Sequence, residues 1–443
     1  MIGAFVSADH GLASHAKLPA ARPSAPEERR LNAAHSIETR YSWIAACAAT
    51  GLLAITYGSP LAIIVAMKAI SADLHLPRAA PALAASMGWL GAGLGGILMG
   101  WVSERIGVRW VVMFGAAMIG VGLWISSLGT QWSLIIGQGL FMGLLGNGCL
   151  FAPLMIYVSH WFDRRRGTAL ALISSGQYIA GMIWPSVFEY SMRVVGWRQT
   201  MLGFGILVAV LVVPLAFALL RPPPLHAGAT GGAGAPQSGD KVLGLPANLT
   251  MMLLAVGAFM CCVPMALPQQ HLVAFCSDIG LRPGVGATML SALLAAAFIS
   301  RQFWGWMSDK YGGLATILFG SAWQALTILL FLSTQDEAGL FGIAIAYGAG
   351  FSGIIPAYVL TVRQLFPAQE ASWRAPTVLF FGMSGMAFGG WFAGALYDHF
   401  ATYAVAFGSG VVFNVANLAI IGWLVWRWKW PRLHLSASAP AAA

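Results

Sequence analysis

An arginine sits where an arginine is costly. Arg301 lies in the run Phe298-Ile299-Ser300-Arg301-Gln302-Phe303-Trp304, inside an apolar segment expected over residues 286–307. That places it about 10 Å from the segment's end at 1.5 Å per helical residue. A guanidinium in hydrocarbon is costly unless an anion meets it. The segment holds no Asp or Glu, the next being Asp309 just beyond it. A planar fork of donors matches a carboxylate in two-point fashion, so the chemistry that Arg301 offers is recognition of a small organic anion, against the alternative of a side chain that snorkels to the membrane face or bonds helix-end carbonyls. Uncharged polar residues could line the same place: Tyr57, Asn147, Gln177 and Gln269 with Gln270 in other apolar segments, and Gln302 beside Arg301. Each can bond a ligand or a neighbouring helix. His271 is the histidine expected nearest a cavity.

Bond-breaking chemistry has little to work with. All 15 Asp and Glu fall in tails, loops or helix ends, and the nine histidines form no metal-ligand spacing. The five cysteines, Cys47, Cys149, Cys261, Cys262 and Cys276, contain no C-x-x-C pair and read as small apolar packing residues. No enzyme, metal site or cofactor is expected.

A second group of charges occurs twice. Gly100-Trp101-Val102-Ser103-Glu104-Arg105-Ile106-Gly107-Val108-Arg109 returns as Gly305-Trp306-Met307-Ser308-Asp309-Lys310-Tyr311-Gly312-Gly313. The shared pattern is Gly-Trp-apolar-Ser-acid-base-x-Gly, closing an apolar segment each time. Pro153, Tyr157 and Phe162 recur similarly as Pro356, Tyr358 and Phe366. Acid and base at a helix end can pair across to a neighbouring helix or face a helix N-terminus. Glu104, Arg105, Arg109, Asp309 and Lys310 are therefore gate candidates, against the alternative of a solvated topology signal. Two like halves point to a carrier with its site between them.

These residues must be positioned by membrane helices. The chain of 443 residues is 58% hydrophobic and 9% charged, whereas a soluble domain has about 25% charged residues. Lipid must cover much of its surface. Spans of about 20 apolar residues are needed. The continuous run Gly203–Leu220 argues for helices rather than alternating barrel strands. Twelve spans are predicted, near 43–66, 82–103, 108–128, 133–158, 168–188, 198–220, 248–274, 286–307, 313–333, 338–362, 375–397 and 403–426. Glycines spaced by about four (Gly91, Gly95, Gly96, Gly100; Gly385, Gly389, Gly390, Gly394) make smooth faces in spans 2 and 11, suited to close packing or to sliding.

The expected organisation is a tail over 1–40, a six-helix half over 41–220, a Pro/Gly/Ala-rich linker over 221–247, a second six-helix half over 248–430 and a tail over 431–443. The N-terminal tail lacks the apolar core of a signal peptide. Of the 24 Lys and Arg, only Lys68, Arg78, Arg193, Arg198 and Arg282 fall outside when both termini are cytoplasmic. That orientation follows the positive-inside rule. The net charge of +9 is thus a topology signal, with no nucleic-acid partner implied.

Over nearly all of residues 41–430 the chain resembles the major facilitator superfamily. The Gly100–Arg109 segment is similar to its loop signature, with Glu104 where Asp is usual. Within the superfamily the chain looks most like the monocarboxylate transporter and oxalate/formate antiporter group. Three segments carry this likeness: Trp161-Phe162-Asp163-Arg164-Arg165-Arg166-Gly167-Thr168-Ala169, running on to Ser175-Gly176; Arg301-Gln302-Phe303-Trp304-Gly305; and Tyr57-Gly58-Ser59-Pro60. The resemblance implies that Arg301 binds a substrate carboxylate and that Tyr57 lines the site. Proton-coupled members carry a Lys after the span-1 Pro and an Asp four residues before the Arg; here these are Leu61 and Ala297. The oxalate carriers' second cation in span 11 is absent mid-span, with only Arg374 at the entrance. One cation favours a monoanion. Gly137-Gln138-Gly139 lacks the span-4 Arg of drug/proton antiporters.

The reading is an all-α, twelve-helix carrier of a small organic monocarboxylate in the cytoplasmic membrane, partnered by the lipid bilayer, with a coupling proton left open. The alternatives are an exporter of larger amphipathic compounds and a non-transporting sensor.

Overall fold

The computed structural model describes residues 38–162, 165–222, 241–282 and 284–437. The expected N-terminal tail, most of the linker, and Asp163 and Arg164 of the basic signature lie outside the described residues. The helices are α1 (Arg40–Asp73), α2 (Ala79–Ile106), α3 (Val108–Ser127), α4 (Gln131–Ser159), α5 (166–195), α6 (197–219), α7 (Ala247–Asp278), α8 (Val285–Tyr311), α9 (Gly313–Leu330), α10 (Glu337–Leu365), α11 (Ala368–Phe400) and α12 (Tyr403–Ala437).

Among the described residues, eleven continuous helical stretches are long and apolar enough to cross a membrane. The twelfth arises inside one of them. α5 and α6 are joined through Gly196 alone, at φ 81° and ψ 165°. That conformation is open essentially to glycine only. The prediction of a nine-residue connection here, over 189–197, is corrected to a one-residue turn. Within the expected linker, β1 (Lys241–Val242) and β2 (Leu245–Pro246) form a small antiparallel hairpin, and α7 starts directly after it. α12 runs to Ala437, beyond the expected end of the second half.

The duplicated motif closes both copies in the same way. Gly107 (φ 90°) and Gly312 (φ 84°) turn the chain between α2 and α3 and between α8 and α9. Their N–H groups donate back to Ser103 O at 3.0 Å and Ser308 O at 2.9 Å. The last Gly of the pattern is thus the residue that ends the helix. The membrane face carrying these turns is called the motif side below, and the opposite face the far side.

Packing faces are set by the small residues. A Cβ on Gly91 would sit 2.3 Å from Gly139 O, and one on Gly95 2.1 Å from Leu144 O, so α2 lies backbone-to-backbone on α4. Gly385 and Gly389 do the same for α11 against Phe259 O and Val263 O of α7. These glycines pack within a half. Contact between the halves uses others, with Gly93 against Met383 and Gly394 against Ala79 joining α2 to α11, and Gly181 against Leu294 joining α5 to α8. The outer surface is apolar. Exposed Trp101, Trp110, Trp306 and Trp426 lie toward the motif side, and Trp124 and Trp132 toward the far side, as two aromatic belts.

Candidate functional site

Two spanning helices are interrupted where Tyr57 and Asn147 lie. α1 breaks at Tyr57 and Gly58 before Pro60. α4 changes from α-helix to a π-helical stretch over Gly137–Gly146 and a 3₁₀ turn over Asn147–Cys149. Such irregular backbone at membrane depth is tolerated where protein or a cavity satisfies it. The two breaks meet: Asn147 Nδ2 donates to Ser59 Oγ at 3.4 Å, and the Tyr57 and Phe151 rings stand edge-on at 6.1 Å. Asn147 is buried, and its Oδ1 has no hydrogen-bond partner among the described residues. A buried acceptor left open costs about 1–3 kcal/mol, so it is poised for a donor.

Arg301 stands at the junction of the halves. Its guanidinium lies over the ring of Tyr178 of α5, 5.2 Å from the centroid, and Tyr178 in turn meets Phe351 of α10 at 6.3 Å. Arg301 is half-buried and forms no ion pair among the described residues. A cation–π contact of this kind is worth about 0.5–2 kcal/mol; it orients the charge without neutralising it. Tyr178 was not among the expected site residues. Gln177, beside it, is half-buried.

Other predicted residues are placed differently. Gln269 turns back onto Met265 O of its own helix at 3.2 Å. Gln270 is fully buried and donates to Met386 O of α11 at 3.1 Å. Gln302 is exposed. Arg374 is buried and satisfied by Glu370, by Asn248 Oδ1 at 3.0 Å and by the Phe366 ring; it braces α11 against α7.

The gate candidates form no ion pair among the described residues. Arg105 folds onto Trp101, 3.6 Å from the ring centroid, and Lys310 lies 5.0 Å from that of Trp306. Arg109 Nε donates to Leu220 O at 2.8 Å. Glu104 and Asp309 are exposed and form no ion pair among the described residues.

Among the described residues, the ion pairs that join the halves at Arg78 and Lys68 lie at the far side, where the sequence marks these cations only as topology signals. Asp278, at the end of α7, receives both terminal nitrogens of Arg78, with Nη2 at 2.7 Å from Oδ1, and Lys68 Nζ at 3.1 Å. Arg78 also donates to the Tyr403 hydroxyl at 3.1 Å and stacks on Tyr397. Burial opposes its charge, but the hydrogen bonds to Asp278 and Tyr403 and their negative charge together outweigh it, and the Arg78 pKa is raised. Asp398 of α11 accepts from the backbone N–H groups of Arg78 and Ala79 at 2.8 and 2.7 Å. It caps α2, whose own residues provide no side-chain cap. These contacts tie the two halves together at the far side.

A family model for the Major Facilitator Superfamily matches residues 46–273. The chain belongs to that superfamily. It is 27% identical over 328 residues to Monocarboxylate transporter 13 of Rattus norvegicus, covering 72% of this chain and 74% of that protein. It is 24% identical over 283 residues to MFS-type transporter 1 of an Ophiocordyceps species, covering 63% of this chain and 61% of that protein. The chain thus spans less than two thirds of the length of several fungal superfamily relatives that it matches. Among solved structures, that of a nucleoside transporter superposes with a TM-score of 0.68 at 15% identity over 87% of this chain and 100% of the other. The structural likeness establishes the superfamily's fold, two six-helix halves, for this chain.

Proposed function

We propose that this protein is a secondary carrier that moves a small organic monocarboxylate across the cytoplasmic membrane by alternating access, with both termini cytoplasmic. The motif side is then the cytoplasmic side, and the described conformation faces inward. The observation that carries the reading is Arg301, a cation at the junction of the halves, set on Tyr178, with no carboxylate partner among the described residues. An anion with one carboxylate would complete it. Asn147, with its open Oδ1, and Tyr57 line the opposite half, suited to a ligand hydroxyl. The likeness to a protein named as a monocarboxylate transporter supports the same class. Glu104 and Asp309 would find partners when the cytoplasmic side closes.

Counterflow in proteoliposomes loaded with a panel of labelled monocarboxylates tests the reading. Arg301→Gln should abolish uptake while the protein inserts and folds. Arg301→Lys should keep less than wild-type activity, because an ammonium cannot reproduce the two-point fork. Uptake of a carboxylate by Arg301→Gln at wild-type affinity would refute the assignment. Saturable transport of large neutral compounds, indifferent to Arg301, would favour the exporter reading.

A further inference from the structure

The far-side latch continues inward to a buried histidine that no step above uses. His271 lies seven residues before the end of α7, about 10 Å from the far-side surface, and is fully buried. Its Nε2 is 2.8 Å from Gly390 O of α11. A carbonyl can only accept, so Nε2 carries a proton. Its Nδ1 is 3.2 Å from the Tyr403 hydroxyl. That hydroxyl already accepts from Arg78 at 3.1 Å. In the neutral imidazole, Nδ1 is then the acceptor and Tyr403 the donor. The chain of donors runs without conflict from Arg78 through Tyr403 and His271 to Gly390.

A proton on Nδ1 breaks this order. Nδ1–H would donate to Tyr403, and the phenolic hydrogen would lose its acceptor. The imidazolium would stand one residue away from the Arg78 guanidinium in a dry site. The charged and titratable groups facing His271 are Tyr403 from α12, Arg78 from the α1–α2 connection, Tyr397 and Asp398 from α11, and Asp278 at the end of its own helix. Asp278 and Asp398 already hold Arg78 and the start of α2. Neither contacts the imidazole, and Asp398 attracts a charge there less than Arg78 repels it, so the closed state disfavours a second cation. Parting of the halves would relieve this by separating Arg78 from His271 and admitting water.

A route for the proton is present. A far-side cavity of about 180 Å³ is lined by Asp278, Tyr397, Thr402, Tyr403 and Gln335, and Tyr403 is one hydrogen bond from Nδ1. Its hydroxyl can pass its own hydrogen to Nδ1 while taking one from the cavity.

We infer that His271 is a proton-binding site that couples protonation to release of the far-side latch between Arg78 and Asp278. The inference rests on the carrier reading and assigns its coupling ion. The sign follows from linkage: the closed state binds the proton less tightly than the open one, so proton binding favours opening and opening favours proton uptake. The site replaces none of the chemistry of Arg301; it lies in a different place and acts on the opposite gate.

The test needs no substrate, so its outcome is separate from that of the monocarboxylate reading. Spin labels at Ala72 and Gln335, in a Cys47→Ser background, report the far-side separation in nanodiscs. Between about pH 8 and pH 5, the range in which a histidine titrates, wild type should shift toward the longer distance. His271→Gln, whose amide can donate to Gly390 and accept from Tyr403, should stay closed throughout. Tyr403→Phe keeps the ring but removes the link, and should lose the pH response too. It also serves if His271→Gln does not fold. A wild-type distance that does not change with pH, or an unaltered pH response in whichever of the two variants folds, would overturn the proposal.

Discussion

Asp278→Asn is the most direct perturbation of the closed far side. In the wild type the Asp278 carboxylate takes two nitrogens of Arg78 and one of Lys68. The side chains of Arg78 and Asp278 are 11% and 15% exposed. Removing one partner of so buried a pair outright costs about 3–5 kcal/mol. The Asn oxygen still accepts one bond, and Arg78 keeps Tyr403 and the Tyr397 face, so about 2–3 kcal/mol of that is expected. Lys68 is 47% exposed, and its pair adds about 0.2–1 kcal/mol. The closed state should lose about 2–4 kcal/mol relative to a state in which Asp278 is already solvated. At about 1.4 kcal/mol per tenfold, that is a change of about 30- to 700-fold in the ratio of closed to open. A protein about 99% closed would become roughly an even mixture near the middle of this range. The Ala72/Gln335 spin-label pair should show a second, longer distance in Asp278→Asn. The charge swap Arg78→Asp with Asp278→Arg should recover part of the closed population, and the double-mutant cycle gives the coupling energy. An unchanged distance distribution in Asp278→Asn would show that this pair does not hold the far side shut.

Two further outcomes are expected. Gly107→Ala and Gly312→Ala should each cost about 1–3 kcal/mol, because both glycines have a φ that L-residues avoid. A Cβ on Gly107 would touch nothing within 4 Å, so its cost is conformational. Helical Gly203, equally open around its Cβ, should be neutral or stabilised on the same change; thermal unfolding in detergent compares them, and equal losses at all three positions would refute the argument. Glu104→Gln and Asp309→Asn should barely alter unfolding, since neither side chain forms an ion pair in this conformation among the described residues. If they pair only when the motif side closes, each change should raise the ratio of far-side-closed to far-side-open protein by about 1.4- to 5-fold, from about 0.2–1 kcal/mol per pair; no shift in the double variant removes them from the gate.

The chain's local chemistry determined a good deal by itself. Composition demanded lipid around the protein, continuous apolar runs demanded helices, and the duplicated Gly-Trp-apolar-Ser-acid-base-x-Gly pattern marked two equivalent turns, which Gly107 and Gly312 make. The depth of Arg301 in an apolar segment could be counted off directly, because helix rise is constant. What the chain order could not supply is which helix faces which. Tyr178 lies 123 positions before Arg301, and only the packing of α5 on α8 sets its ring beneath the guanidinium. The same holds for Arg78 and Asp278, 200 residues apart, and for His271, whose partners come from α11 and α12. A charge or a histidine at a helix end looks alike in sequence whether it meets water or a partner. Only the assembled bundles decide, because pairing energies depend on distance and burial, and both are properties of the folded molecule.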